Sequence, residues 1–275
     1  MKRYILPVLI LLSVMLTSCE DVIDVDLKQG ETLLVVDGWV TNQPGPYKVR
    51  LTSTAPYFTN QETPKVTGAT LIISDSEGVT DTLKESEPGI YLTQHLQGKV
   101  GNTYTLKILS NGEEYMAQTE IKRVPPIDSL TVKYHEESAF YEESGYYIYY
   151  NGPEPVGIGD FYRFKIYQND TLLSGPGDLT FAEDKLVDGN YIGDLQMNDD
   201  KAFRKGDTIR GENWAITEDN YRYYVELSAQ INNGGLFSNP PANVRTNIHN
   251  NNSKGKKAVG WFGGAGVSSK EIVIQ

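Results

Sequence analysis

The chain has 275 residues, a formal net charge of −11 from 36 acidic and 25 basic side chains, 18 tyrosines and one cysteine. Such an acidic body argues against binding nucleic acid or anionic lipid through general electrostatics. A single cysteine excludes an internal disulfide and a cysteine-cluster zinc site.

Residues 1–18 begin Met1-Lys2-Arg3, continue as an apolar run from Tyr4 to Leu16, and end in Thr17-Ser18 ahead of Cys19. A basic start, an apolar centre and small residues before a cut are the plan of a secretory signal peptide. The apolar run is shorter than the ~20 residues a spanning helix needs. Leu16-Thr17-Ser18-Cys19 resembles a bacterial lipobox, in which the cysteine thiol is diacylated and becomes the first residue of the mature chain. The alternatives are an ordinary signal with an incidental cysteine, or a short anchor helix. On the lipobox reading Cys19 is the lipidation site, and two acyl chains hold where one anchors only marginally. Loss of Lys2 and Arg3 then takes the charge from −11 to −13. Residues 19–30 read as an acidic tether.

From residue 31 the pattern is that of strands. Leu33 to Val40 is β-branched and aromatic, and the cluster Asn42 to Pro46 ends it. Tyr47 to Thr52 alternates as a half-buried strand does. Ala69 to Ser74 and Val79 to Leu83 flank Asp75-Ser76-Glu77-Gly78, a hairpin signal. Gly89 to Leu92, Thr103 to Ile108 and Glu114 to Thr119 continue the series, with Asn111-Gly112 as a turn. Short strands between turns, with no helical period, predict a mainly β fold with an Ig-like or transthyretin-like β-sandwich over 31–124.

Pro125-Pro126 marks the expected boundary. Residues 125–275 are predicted as a β-rich domain with one α-helix. Its strands fall at Asp128 to Tyr134, Gly145 to Tyr150, Phe161 to Tyr167 and Asp207 to Trp214, and the stretch Gly175 to Gly206 reads as loop with short strands. The helix is expected over 218–231: Thr217 can cap it, Glu218 and Asp219 suit its positive end, and Asn232 to Gly235 supply a stop. Ala258 to Phe262 and Glu271 to Ile274 return to strand character.

Several of these segments in order carry a resemblance. They are Leu34 to Val40, Gly68-Ala69-Thr70 through Asp75, Gly101 to Leu106, Pro125 to Ser129, Pro240 to Ile248, and Ala258 to Phe262. Together they resemble the Bacteroidota lipoproteins grouped as domain of unknown function 4249. The resemblance implies an outer-membrane lipoprotein encoded beside a TonB-dependent receptor, and it transfers no site residues. In that phylum acidic residues after the lipidated cysteine act as a signal for export to the cell surface, and Glu20-Asp21 fits the pattern. A solvated tether is the alternative. Thr82, Ser129, Thr171 and Thr208, each in an Asp-Ser/Thr-aliphatic triplet, look like the short O-glycosylation sequon of exported proteins in the same phylum. Each triplet also fits a turn leading into a strand.

No catalytic constellation emerges. His95, His135 and His249 lie in different predicted elements without metal-site spacing. Neither a nucleophile elbow nor a phosphate-binding glycine loop is present. Asp188-Gly189-Asn190 and Asn198-Asp199-Asp200 offer the oxygen ligands calcium takes, but lack EF-hand spacing, and turns use the same residues. The tyrosine-rich run from Tyr134 to Tyr150 reads either as a binding face or as alternation across a sandwich, half its rings inward. Asn243, Arg245 and Asn247 read as structural ties between the helix exit and the sandwich. The reading is therefore a non-enzymatic surface lipoprotein with no cofactor and no metal, accessory to a TonB-dependent transporter in ligand capture. The alternative is an envelope assembly or adhesion factor, with a hydrolase third.

Overall fold

The computed structural model describes residues 30–55, 62–198, 201–233 and 242–275. Its first half carries β1 (Leu34–Thr41), β2 (Lys48–Ser53), β3 (Thr70–Asp75), β4 (Thr80–Thr82), β5 (Lys84–Glu87), β6 (Ile90–Leu92), β7 (Thr103–Ser110) and β8 (Glu113–Glu120). The second half carries β9 (Ser129–His135), β10 (Gly145–Pro153), β11 (Phe161–Gln168), β12 (Thr171–Leu172), β13 (Thr180–Glu183), β14 (Tyr191–Gln196) and β15 (Thr208–Ile216). Helix α1 (Glu218–Ile231), β16 (His249–Asn250) and β17 (Ala258–Val273) complete it. The mainly β fold with one α-helix among the described residues is as the sequence predicts, and no helix described is long and apolar enough to cross a membrane.

Turn chemistry sets the hairpins. Asn111-Gly112 and Asn169-Asp170 take positive φ at both positions, the backbone whose twist matches two antiparallel strands. They join Ser110 to Glu113 and Gln168 to Thr171. Between β3 and β4, Asp75 Oδ1 accepts from the N–H groups of Glu77 (3.0 Å) and Val79 (2.8 Å), closing the turn through a side chain.

One sheet runs β12-β11-β15-β17-β1-β2-β6-β5, with β13 also on β11. A second, β16-β8-β7-β3-β4, and a third, β14-β10-β9, complete the layers. The first core joins Val36, Leu51 and Tyr91 to Leu71, Ile73, Leu106 and Ile108. The second joins Phe164, Ile166 and Ile209 to Leu130, Ile148, Tyr150 and Phe203.

On either side of Pro125-Pro126, Ile121 belongs to the first core and Ile127 to the second. The later chain returns to the first core, where Ile248, Ala258 and Phe262 are buried. Strand β17 is the reason. Its residues Ala258–Ala265 pair in parallel with β1, and Gly266–Val273 pair antiparallel with β15. Residues 31–124 therefore lack one strand of their own sheet, and Thr32–Gln275 forms one compact unit.

The tyrosine run differs from simple alternation. Tyr147, Tyr149 and Tyr150 are all buried and Tyr146 is half-buried, because both faces of β10 are covered. Ile148 and Tyr150 enter the second core, while Tyr147 and Tyr149 pack with Ala202 and Tyr141 on the other side. Exposed rings remain at Tyr134, Phe140 and Tyr191. The helix-exit ties are present: Arg245 donates to Glu226 (2.7 Å from its backbone, 2.9 Å from Nε). Asn247 donates to the Phe262 carbonyl (2.7 Å) and accepts from the Phe262 N–H (3.0 Å).

Candidate binding groove

Residues two apart on a strand share a face, and the pairing register gathers one set of such residues. Arg163 lies beside Trp214 and Lys165 beside Glu212. Trp214 is opposite Val267, Trp39 opposite Gly263, Asp37 opposite Trp261, and Asp37 also opposite Arg50. All three tryptophans of the chain thus meet on one sheet face. Helix α1 lies over that face. Its capping residue Thr217 accepts from the Asn220 N–H (3.3 Å), and its inner side brings Tyr221, Tyr223, Tyr224 and Leu227 onto Trp39, Trp214, Ala265 and Val267.

Ring geometry ties the layers together. Trp39 and Trp214 meet edge to face at 5.2 Å and 85°, a favoured aromatic arrangement. Tyr223 leans on Trp261 at 4.9 Å and packs against Tyr224 at 5.4 Å. The Arg163 guanidinium sits 4.5 Å above the Tyr224 ring and donates through Nη1 to its hydroxyl. Burial pushes the phenols of Tyr223 and Tyr224 up, so both stay neutral.

Beneath Trp39, the Lys165 ammonium stands 3.1 Å from the Trp214 ring centre and 5.5 Å from that of Trp39. Burial, reinforced by the neighbouring Arg163 charge, brings Lys165 down to about 7, and Glu212 and Asp37 counter this only in part. Neither Arg163 nor Lys165 has an ion-pair partner among the described residues. Glu212 is committed elsewhere, accepting from the Trp214 indole (2.8 Å) and pairing with Arg210.

The space between helix and sheet is a groove of about 510 Å³ walled by Trp39, Trp261, Tyr223, Tyr224, Arg163, the residues Leu172 to Gly175, and Asp178 with Leu179. That is within the range of small-molecule sites. Two of the lining residues also carry a donor sealed from solvent and without a partner, Arg163 Nε and Trp261 Nε1. Leaving a donor buried and unpaired costs about 1–3 kcal/mol. Each wall carboxylate accepts through one oxygen, Asp37 Oδ2 from Arg50 (2.9 Å) and Asp178 Oδ2 from the Gly175 N–H (2.6 Å).

Gly263 lets Trp39 lie flat on the sheet, because a Cβ there would stand 2.5 Å from the indole. Gly263→Ala is expected to displace Trp39 at a cost of about 1–3 kcal/mol. Near-UV circular dichroism and a denaturant titration check this, and an unchanged aromatic spectrum would refute it.

The sites singled out in the sequence lie elsewhere. Cys19, Glu20 and Asp21 lie outside the described residues. Thr82 and Thr171 are exposed, and Ser129 and Thr208 are half-buried. His95 flanks Asp81, His135 stacks on Tyr141 at 3.9 Å, and His249 is in β16 against Met116. Of the calcium candidates, Asp188 accepts from the Gly157 N–H (2.6 Å), and Asp199 and Asp200 lie outside the described residues.

A different acidic trio forms, Glu154, Asp160 and Asp184, whose ligand atoms lie within 4.8 Å of one another. A cation can be held there, but the trio already has partners. Arg123 donates to Asp160 (2.8 Å), Tyr162 to Glu154 (2.7 Å), and the N–H groups of Gly159 (2.8 Å) and Asp160 (3.0 Å) to Asp184. Burial raises the Glu154 carboxyl, favouring its neutral form. None of the three lines the groove.

Sequence reasoning did not find the groove. A signal was present: Asp37 and Trp39, Arg163 and Lys165, and Glu212 and Trp214 each put a charge on the same strand face as an aromatic ring or a second charge.

Fold and groove together define a mainly β protein of two joined sandwiches, with a helix-roofed aromatic groove on their shared sheet. The chain belongs to the family described as domain of unknown function (DUF4249), whose model matches residues 20–271. A search of curated proteins gave no match. Among solved structures, a two-domain fibronectin type III segment of chicken tenascin is 9% identical, with a TM-score of 0.22. The alignment covers 68% of this chain and 92% of that one.

Proposed function

We propose that the protein is a non-enzymatic binding protein, lipid-anchored through Cys19 at the outer-membrane surface, that captures a ligand in the aromatic groove beside a TonB-dependent receptor. The observation that carries the binding reading is the groove itself, about 510 Å³ lined by the rings of Trp39, Trp261, Tyr223 and Tyr224 with Arg163 beside them. The anchor rests on the lipobox-like Leu16-Thr17-Ser18-Cys19, and the surface location on Glu20-Asp21. The receptor rests on the resemblance to lipoproteins encoded beside such receptors.

Affinity capture of the C-terminally tagged full-length protein from detergent-solubilised outer membranes tests the partner. A TonB-dependent receptor in stoichiometric amount is the expected result. Recovery of the protein at the periplasmic face with no receptor would overturn the accessory role.

An assembly or adhesion role has one observation in its favour: the rings of Tyr134, Phe140 and Tyr191, exposed by 52%, 89% and 60%, around the β14-β10-β9 sheet. Deletion separates the readings. Capture predicts lost growth on one nutrient, and assembly predicts a general envelope defect.

A further inference from the structure

We propose that the end of the first sandwich where the chain enters lies on a lipid surface of anionic headgroups, held there by Lys254, Lys256 and Lys257. This rests on the Cys19 anchor proposed above and says how the anchored body stands on the membrane.

The described chain begins at Gly30, so ten residues, 20–29, separate it from Cys19. Even fully extended, ten residues span at most about 35 Å, so whatever lies beside the start of β1 stays close to the lipid. The turn between β16 and β17 lies there. Leu34 is paired with Ala258, and Lys256 lines one hollow with Thr32, Leu33 and Leu34.

Side chains fix that turn. Asn250 Nδ2 donates to the Lys256 carbonyl (2.8 Å) and to Glu113 (2.8 Å). Asn252 Oδ1 accepts from the Lys254 N–H (3.1 Å), and the Asn251 N–H donates to the Glu114 carbonyl (2.9 Å). The three lysines are exposed and have no ion-pair partner among the described residues. Of the acids at this end, Glu114 pairs with Lys107 (2.8 Å), and Glu113 accepts from Asn250 and from the Lys256 N–H (3.4 Å). Glu31, just ahead of β1, is exposed and offsets one lysine.

The chain as a whole is acidic, and an anionic surface repels such a body. The repulsion is uneven along the molecule. Strand β17 is 16 residues long, which is roughly 50 Å at ~3.3 Å for each residue. At its far end Val273 pairs with Thr208 and the Gly206 N–H donates to the Ile274 carbonyl (2.8 Å). Arg204, two residues before Gly206, donates to the Ser144 carbonyl (3.0 Å) of the β9–β10 hairpin. That hairpin exposes Glu136, Glu137, Glu142 and Glu143, and among the described residues only Glu143 meets a cation, Arg204 at 3.8 Å. Unpaired lysines thus mark the anchored end and unpaired glutamates the distant one. A negative surface turns the first toward itself and the second away. Lysines near an anionic headgroup layer are drawn to it, and the attraction fades within a Debye length.

The test uses the full-length acylated protein in vesicles of phosphatidylcholine alone, or of phosphatidylcholine with phosphatidylglycerol. Both take up the anchor, and only the second is anionic. Lysine acetylation by acetic anhydride, an uncharged reagent, is followed by mass spectrometry, with Lys205 at the far end as internal reference. Relative to Lys205, the three lysines are expected to react at least threefold more slowly on the anionic vesicles. The difference is expected to vanish at about 1 M salt, where charges are screened within about 3 Å. With Cys19 acylated, Phe140→Cys supplies a lone thiol on the hairpin for a dye. Its energy transfer to a labelled lipid is expected to be lower on anionic than on neutral vesicles, and to rise when Lys254→Gln, Lys256→Gln and Lys257→Gln are combined. Equal reaction on the two vesicles would overturn the proposal. Slow reaction on both would also overturn it, and would assign the lysines to the acidic segment 20–29. An unacylated Cys19 would remove the anchor reading and this one with it, whereas acylated protein with unprotected lysines would count against the placement alone.

Discussion

Lys165→Met is expected to make the protein more stable than wild type at pH 6 and to flatten its stability between pH 6 and pH 9. The lysine titrates near 7 when folded and near ~10.4 when unfolded. Below pH 7 the ammonium is charged in both states, so the folded protein bears the full penalty of burying it. Between about 7 and ~10.4 the folded lysine is neutral while the unfolded one keeps its proton. The unfolded state then binds more protons, so stability rises with pH through this window.

The difference between variant and wild type should amount to a few kcal/mol at pH 6, on the order of 1.4 kcal/mol for each unit of displacement. Methionine suits the site because it is unbranched and its sulfur packs well on rings, which offsets part of the lost ammonium contact with Trp214. No carboxylate is orphaned, since Asp37 keeps Arg50 and Glu212 keeps Arg210 and the Trp214 indole. Urea unfolding at pH 6, 7.5 and 9 measures it. A wild-type curve no steeper than that of the variant would mean that Lys165 is not held neutral. Comparing variant with wild type removes every contribution that the two proteins share.

The same site shows where sequence reasoning stops. Asn111-Gly112 and Asn169-Asp170 carry their turns in adjacent residues, and α1 announces itself through Thr217, Glu218 and Asp219. Such local signals were legible, and the helix runs over Glu218–Ile231 as expected. The groove is not local. Trp39 comes from β1, Arg163 from β11 and Trp261 from β17, and only the register of three strand pairs brings them together.

Strand β17 was legible only at its ends, Ala258 to Phe262 and Glu271 to Ile274. Its middle, Gly263-Gly264-Ala265-Gly266, has the composition of a loop. The structure supplies the reason for those residues: a Cβ on Gly266 would stand 2.2 Å from the Lys122 carbonyl. Glycine here marks another chain crossing close by rather than a turn. Periodicity cannot distinguish the two.

That strand also sets the largest stability effect expected. Phe262 is fully buried in the first core, on the half of β17 that pairs with β1. Phe262→Ala removes a ring that the surroundings cannot replace, a loss of about 3–5 kcal/mol. For a chain of this size that lowers the melting temperature by roughly 10 °C. The informative outcome is where the loss spreads. If the halves were independent, amide exchange would quicken only in β1, β2 and β7. The same backbone, however, continues into Gly266–Val273, pairs with β15, and places Ile274 in the second core. Freeing one end of β17 loosens the other. Faster exchange is therefore expected in β9 and β10 as well, with one unfolding transition throughout. Two separate transitions, with β9 and β10 exchanging at the wild-type rate, would show that each sandwich is held by its own core and that the shared strand does not couple them.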